Sequence, residues 1–265
     1  MSVKTKLLRI FGMVLLFACA AGLVVLTSFN ADLQEQTRCP DVDIHIDHEQ
    51  GMYFLERSDI MHILGTAYGD SIKGDALKGI RVGRVEELLE SDPYVADAES
   101  WLDANGKMHI EIVQKQPVVR VINKYGVHYY MDKIGNKIPI SDKFTARVPV
   151  VTGSIEEGTF NTDMATSRAL QNTLKLVNYI RSDVFWNAQI EQIAIAANGT
   201  FTLIPKLGDH KIEFGRIENM EDKFGKMKIF YKEGLSHTGW EKYASFKLDY
   251  KGQIVCELKS NYEQQ

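Results

Sequence analysis

The sequence predicts an α+β protein: a single N-terminal transmembrane helix, a β-α-α-β-β domain, then a larger, mainly antiparallel β domain with two helices. Three observations carry this. Ile10 to Phe29 is a charge-free apolar run, Val42 to Val113 reads strand, helix, helix, strand, strand, and the pattern after Gln116-Pro117 turns mainly to strands. The corresponding ranges are a tail over 1–9, an anchor over 10–31, a first domain over 32–122, a second over 123–260 and a short C-terminal tail over 261–265.

The twenty residues from Ile10 to Phe29 would span roughly 30 Å as a helix, the thickness of a bilayer's hydrocarbon core. Lys4, Lys6 and Arg9 precede them, and the first charges beyond are Asp32 and Glu35. Positive-inside bias therefore puts the N-terminus in the cytoplasm and the bulk outside. Ala18-Cys19-Ala20 looks like a cleavage site, but the largely apolar Ala21 to Phe29 follows it, so an uncleaved anchor is the better reading.

In the first domain, Val42, Ile44 and Ile46 alternate with Asp43, His45 and Asp47 as on a strand. Ser58 is placed to cap a short helix through Ile60, Ile63 and Leu64, closed by Gly65 and Gly69. Val85, Leu88 and Leu89 mark a second helix, stopped by Ser91-Asp92-Pro93 because proline disfavours helical geometry before it. A three-residue loop over Ala104-Asn105-Gly106 sets Leu102 against Met108, Ser100 against Ile110 and Ala98 against Ile112, a coherent apolar face. Trp101 falls opposite His109 on the polar face, where burial at a domain junction is preferred over an exposed contact.

In the second domain, Val118–Ile122, Val127–Met131 and Val148–Val151 read as strands. Asn161-Thr162-Asp163 offers caps for a helix carrying Leu170, Leu174 and Val177. Ile190–Ala197 and Thr200–Pro205 form a hairpin about Asn198-Gly199, a type I′ dipeptide, and Met220, Phe224, Met227 and Tyr231 stripe another helix. From Phe246 to Leu258 apolar residues hold the even positions, and a tight turn at Lys251-Gly252 would mix the faces, so one long strand is expected. Left at an edge, such a strand exposes unpaired backbone groups and invites a partner strand. A proline at Val255 would then weaken capture.

Composition sets outer limits. The chain is 45% hydrophobic and 25% charged, an ordinary globular balance. Subtracting the three tail cations from 31 leaves 28 basic against 35 acidic residues, about −7, which disfavours nucleic acid or an anionic surface as the main partner. Outside the anchor only Cys39 and Cys256 remain, read as free thiols rather than a disulfide framework. There is no HExxH, GxSxG, GxxxxGK[ST] or CxxC pattern. His45 and His48 lie three apart on a strand, on opposite faces, so no metal site, cofactor site, catalytic residue or small-molecule substrate is expected.

Val85-Glu86-Glu87-Leu88-Leu89 with Asp92-Pro93-Tyr94-Val95, Lys107 to Val113, and Gln116-Pro117-Val118-Val119-Arg120-Val121 resemble the POTRA domain of the FtsQ/DivIB cell-division family and its exit into the β domain. Lys115-Gln116 keeps only one charge where the family often has a pair. Tyr130-Met131-Asp132 with Gly135, Val148 to Gly153 and Lys211 to Gly215 resemble β-domain landmarks, and Gly239 to Tyr243 with Leu248 to Cys256 is similar to Bacteroidetes-like versions.

The resemblance implies a non-enzymatic divisome scaffold in the cell inner membrane, single-pass, its bulk periplasmic and at the division septum; the competing reading is a membrane-anchored periplasmic cell-wall enzyme, which would need a cleft with paired carboxylates or an activated nucleophile. It would bind FtsB, FtsL and other divisome components and help control septal peptidoglycan synthesis. The family's last β-domain strand receives a segment of FtsB, which maps here to Phe246, Lys247, Leu248, Asp249, Tyr250, Lys251, Gly252, Gln253, Ile254, Val255 and Cys256.

Overall fold

The computed structural model describes residues 16, 38–48, 51–69, 72–158 and 164–260. Apart from Leu16, the predicted anchor lies outside them, as do the tails 1–9 and 261–265. Among the described residues no helix is long and apolar enough to cross a membrane.

The chain divides into two units, one ending at Gln114 and the other comprising Lys115–Gln265 with the short stretch Gln50–Phe54. The first holds β1 (Val42–Asp47), α1 (Arg57–Tyr68), a 3-10 turn (Leu77–Gly79), α2 (Val82–Glu90), β2 (Val95–Leu102) and β3 (Met108–Gln114), the predicted order. The strands lie β1-β3-β2, with β1 parallel to β3. Ile60, Leu64, Val85 and Leu89 from the helices are buried, as are Met108, Ile110 and Ile112 from β3.

The β2–β3 register pairs Leu102 with Met108, Ser100 with Ile110 and Ala98 with Ile112, as the apolar pattern requires. Gly106 takes φ +80°, a conformation L side chains rarely adopt, so the loop favours glycine. Two details differ from expectation. The helix opens at Arg57 behind Glu56, whose N–H donates to Asp59 Oδ2 at 2.9 Å, so Ser58 is not the cap. Trp101 is 41% exposed, its indole stacked on His109 with centroids 5.3 Å apart, rather than buried.

The first unit ends at Gln114, before the boundary expected at residue 122. Gln114 is buried in the first unit, accepting from Leu55 N and donating to Asp47 O, whereas β4 (Pro117–Ile122) is a strand of the second sheet. Pro117 lacks the N–H that would prolong the first ladder, and Val118, Val119 and Val121 enter the second core.

The second unit continues with β5 (His128–Asp132), β6 (Lys137–Pro139), β7 (Val150–Gly153), α3 (Arg168–Ser182), α4 (Val184–Gln189), β8 (Ile190–Ile195), β9 (Phe201–Pro205) and β10 (Lys211–Gly215). Then come α5 (Met220–Ile229), a π-helical stretch (Phe230–Gly234), α6 (Leu235–Thr238), β11 (Tyr243–Lys247) and β12 (Val255–Leu258). The nine strands lie in the order β12-β11-β10-β9-β8-β7-β4-β5-β6. The β4–β7, β7–β8 and β10–β11 contacts are parallel and the other five antiparallel, so the sheet is mixed with an antiparallel majority. Leu170 and Val177 of α3 and Phe224 and Met227 of α5 join Phe201, Phe214 and Phe246 in one core.

The two expected helices are α3 and α5, and two short ones accompany them. Asp183 explains α4: its carboxylate accepts from Phe185 N and Trp186 N, turning the chain so that Trp186 is buried. Ser167, not the 161–163 segment, caps α3, accepting from Leu170 N at 3.3 Å; residues 161–163 lie outside the described residues. The Asn198-Gly199 hairpin closes through Ala196 and Thr200, giving a three-residue loop instead of the two-residue type I′ turn.

Candidate functional site: the β12 edge

The single long strand expected over Phe246–Leu258 is instead a hairpin. β11 and β12 run antiparallel with Phe246 opposite Cys256 and Lys247 opposite Val255, joined by the seven residues 248–254. A tight turn at Lys251-Gly252 would mix the faces, but this wide, odd-numbered loop keeps apolar residues on one side. Phe246 is fully buried, and Cys256 packs partly buried against the same core.

Lysines of α5 hold the loop. Lys226 Nζ donates to the carbonyls of Leu248 at 2.9 Å and Tyr250 at 2.6 Å. Lys223, itself buried, donates to Phe214 O at 2.7 Å and Arg216 O at 3.0 Å, and reaches Asp249 Oδ1 at 3.3 Å. Gly215 makes room: with φ +73°, a Cβ there would lie 1.9 Å from Asp249 Oδ1. The loop is thus fixed at its base and presents Tyr250 and Lys251 outward.

Backbone direction along β12 follows from its neighbours. Leu248 N donates to Glu213 O at 3.1 Å in the parallel register that pairs Glu213 with Lys247. Backbone groups of Phe246 and Leu248 therefore point at β10, and those of Ser245 and Lys247 point at β12. Their partners Glu257 and Val255 are the inward-facing residues of β12. Cys256 then points its N–H and C=O away from the sheet. So does Leu258, because the next residue, Lys259, bonds inward to Lys242 O at 2.9 Å. Among the described residues the outer edge of β12 has backbone groups without partners at alternate residues, beside Tyr250 (50% exposed), Val255 (40%) and Leu258 (39%).

Each of the other three sheet edges carries a feature that takes up a backbone group or cuts the strand short. On β1, Arg57 Nη2 donates to Val42 O at 2.6 Å. On β2, the Glu86 carboxylate accepts from Ser100 N at 2.8 Å. The opposite end of the large sheet is β6, three residues long, ending in Pro139, with Met164 bridged to the neighbouring Asn136.

Residues 116–257 match the family model described as FtsQ/DivIB, C-terminal related, and residues 37–113 match that of a POTRA-like domain. The chain belongs to the FtsQ/DivIB family. Over 205 residues it is 25% identical to cell division protein FtsQ of Geotalea daltonii, covering 77% of this chain and 71% of that protein. The gap between the two matched ranges coincides with the division at Gln114/Lys115.

Within this FtsQ/DivIB-family chain the residues singled out from sequence separate into three groups. Phe246 and Leu248 are buried core residues that anchor the hairpin. Lys247 belongs to a surface ion network with Glu257 at 3.5 Å and Glu213 at 3.9 Å, and Asp249 faces Lys223. Tyr250, Lys251, Gly252, Gln253 and Val255 are exposed, and Ile254 and Cys256 are partly buried. Burial pushes the Cys256 thiol's pKa up, which disfavours the reactive thiolate.

Ile229 and Phe230 were missed. They line a shallow groove of about 380 Å³ beside Gly252, Gln253 and Ile254. The signal was Ile229, an apolar residue just off the buried stripe of α5. Cys39 and Cys256 are free thiols, and among the described residues no group of three or more His, Cys, Asp or Glu could hold a metal ion.

Proposed function

We propose that this FtsQ/DivIB-family chain is a non-enzymatic, single-pass inner-membrane scaffold of the division machinery, its bulk periplasmic at the septum. It binds FtsB and FtsL through the β domain and helps control septal peptidoglycan synthesis. The FtsB segment adds as a further strand along β12. One observation carries the reading: among the described residues the outward backbone groups of β12 at Cys256 and Leu258 have no partner, whereas one outward group on each of β1 and β2 is taken up by a side chain and β6 is three residues long. Main-chain bonds at Cys256 and Leu258 supply affinity, and the exposed side chains of Tyr250 and Val255 set register.

Photo-crosslinking tests this in the full-length chain, with a benzophenone amino acid placed singly at Val255, Leu258 or, as a control, Tyr125. Adducts with FtsB from the first two positions and none from the third are expected. FtsB adducts confined to the control position would overturn the assignment.

A further inference from the structure

We propose that the open face of the β1-β3-β2 sheet in the first domain is a docking surface for a basic, extended segment of a partner protein. This surface is separate from the β12 edge, and the inference does not rest on strand addition there. The chain's negative charge is spread unevenly. Residues 38–114 hold 7 basic against 16 acidic residues, net −9, whereas 115–265 hold 21 against 17, net +4. Part of that excess gathers on one side of the small sheet. Met108, Ile110 and Ile112 of β3 point into the core, so the alternate residues His109, Glu111 and Val113 point the other way. Glu111 and Val113 are exposed although β3 is the central strand.

The strand register determines which side chains stand together on that side. Glu99 of β2 lies directly opposite Glu111, with His45 of β1 across from it on the other flank. Two residues along β3, Val113 lies between Asp97 and Asp47; two residues back, His109 lies between Trp101 and Asp43. Neighbouring strands are about 4.8 Å apart and alternate residues about 6.8 Å, so Asp47, Asp97, Glu99 and Glu111 share a patch of roughly 10 by 7 Å between Cα positions. Like charges set directly opposite destabilise a sheet. Among the register pairs of both sheets Glu99–Glu111 is the one with like charges, whereas in the larger sheet Glu213 meets Lys247. Among the described residues none of these four carboxylates has a hydrogen bond or ion pair, unlike Asp43, which takes Lys107 at 3.1 Å. A cationic occupant removes the repulsion that the register builds in.

The occupant's class follows from the charge and the spacing. Nucleic acid and anionic lipid are repelled by this face. A metal ion does not fit, because among the described residues no group of three or more His, Cys, Asp or Glu could hold one. An extended segment carries its alternate side chains at the same repeat as Trp101, Glu99 and Asp97, so Lys or Arg at alternate positions meet successive rows of the sheet. Trp101 and Val113, 41% and 43% exposed, give apolar surface to the aliphatic stems of those side chains. Trp101 stands on the end strand with one indole face stacked on His109, and the other face, toward the sheet edge, suits a cation.

The test is fluorescence anisotropy of a short labelled peptide of alternating Lys and Thr with the full chain in neutral detergent at low salt. The double variant Glu99→Gln, Glu111→Gln should bind about fivefold more weakly, and Trp101→Ala about threefold. The same double should keep or raise the urea midpoint, because it removes a like-charge pair, and misfolding cannot produce that result. The matched double Glu87→Gln, Glu90→Gln takes the same charge from exposed positions of α2 in the same domain and should leave binding unchanged. Equal loss in both doubles, or no loss in the first, overturns the proposal. So does spermine binding as tightly as the peptide through the same two carboxylates, which assigns the face to small cations. Self-association of the chain that the first double abolishes also overturns it, because the face then belongs to a second copy.

Discussion

Proline scanning along β12 separates strand addition from any contact made by side chains alone, and the register fixes which position to change. At Cys256 the N–H points outward, so Cys256→Pro removes a donor that the isolated domain does not use, on an edge strand where proline is tolerated. Its effect on the free protein should stay below about 1 kcal/mol. In the complex, the partner carbonyl that would meet this N–H is left unsatisfied, at about 1–3 kcal/mol. FtsB-peptide affinity should therefore fall roughly 5- to 150-fold. At Val255, the position that one long strand would have suggested, the N–H faces Lys247 inside the sheet. Val255→Pro should thus destabilise the free domain by about 1–3 kcal/mol through a broken ladder and the proline geometry. Calorimetric binding of a peptide from FtsB, beside urea unfolding of the same samples, reads both quantities. A folded Cys256→Pro protein that binds within twofold of the parent would refute strand addition along this edge.

Three other outcomes are expected. Gly215→Ala should cost about 1–3 kcal/mol, because the new Cβ needs the space of the Asp249 carboxylate at a φ of +73°, and the loss should appear as a lower urea midpoint. Burial, with Lys259 nearby and only partly offset by Asp209, lowers the His210 pKa from 6.5 to about 4. Because the unfolded chain takes up that proton more readily, stability from this residue is complete above pH 6.5 and declines between 6.5 and 4, by on the order of 3 kcal/mol in total. His210→Gln should flatten that part of the stability–pH curve, and an unchanged slope would refute the assignment. For the anchor proposed over Ile10–Phe29, N-terminal sequencing of the mature protein should find no new terminus near residue 20.

The first domain was legible because its signals are local. Its hairpin register follows from three apolar pairs about one loop, and the helices stop at Gly69 and before Asp92-Pro93, although Gly65, also expected to close the first helix, lies inside it. Helix caps were less legible, since Ser58 and Glu56 both suit an N-terminus and the choice falls to the reciprocal bond between Glu56 and Asp59. The terminal hairpin was hidden for a geometric reason. A loop of odd length returns the chain with its inward parity unchanged, so alternation from Phe246 to Leu258 describes a long strand and a seven-residue-loop hairpin equally well. What selects the hairpin is Lys226 holding the Leu248 and Tyr250 carbonyls, a contact across more than twenty residues that no periodicity encodes.

The same non-local dependence governs the site. The end strand β12 lies within Phe246–Leu258, where one long strand was expected, but the direction of each N–H on it depends on how β11 meets β10. That parallel pairing requires the crossover through α5. The crossover also delivers Lys223 and Lys226 to the loop, so one helix both sets the register of the edge and fixes the turn beside it. An open edge is a hazard that proteins ordinarily suppress. Here Arg57, Glu86 and Pro139 each blunt a different edge, and no comparable device stands on β12 among the described residues. Among the described residues β12 thus keeps outward backbone groups at Cys256 and Leu258, and a partner strand seated on it would close that row.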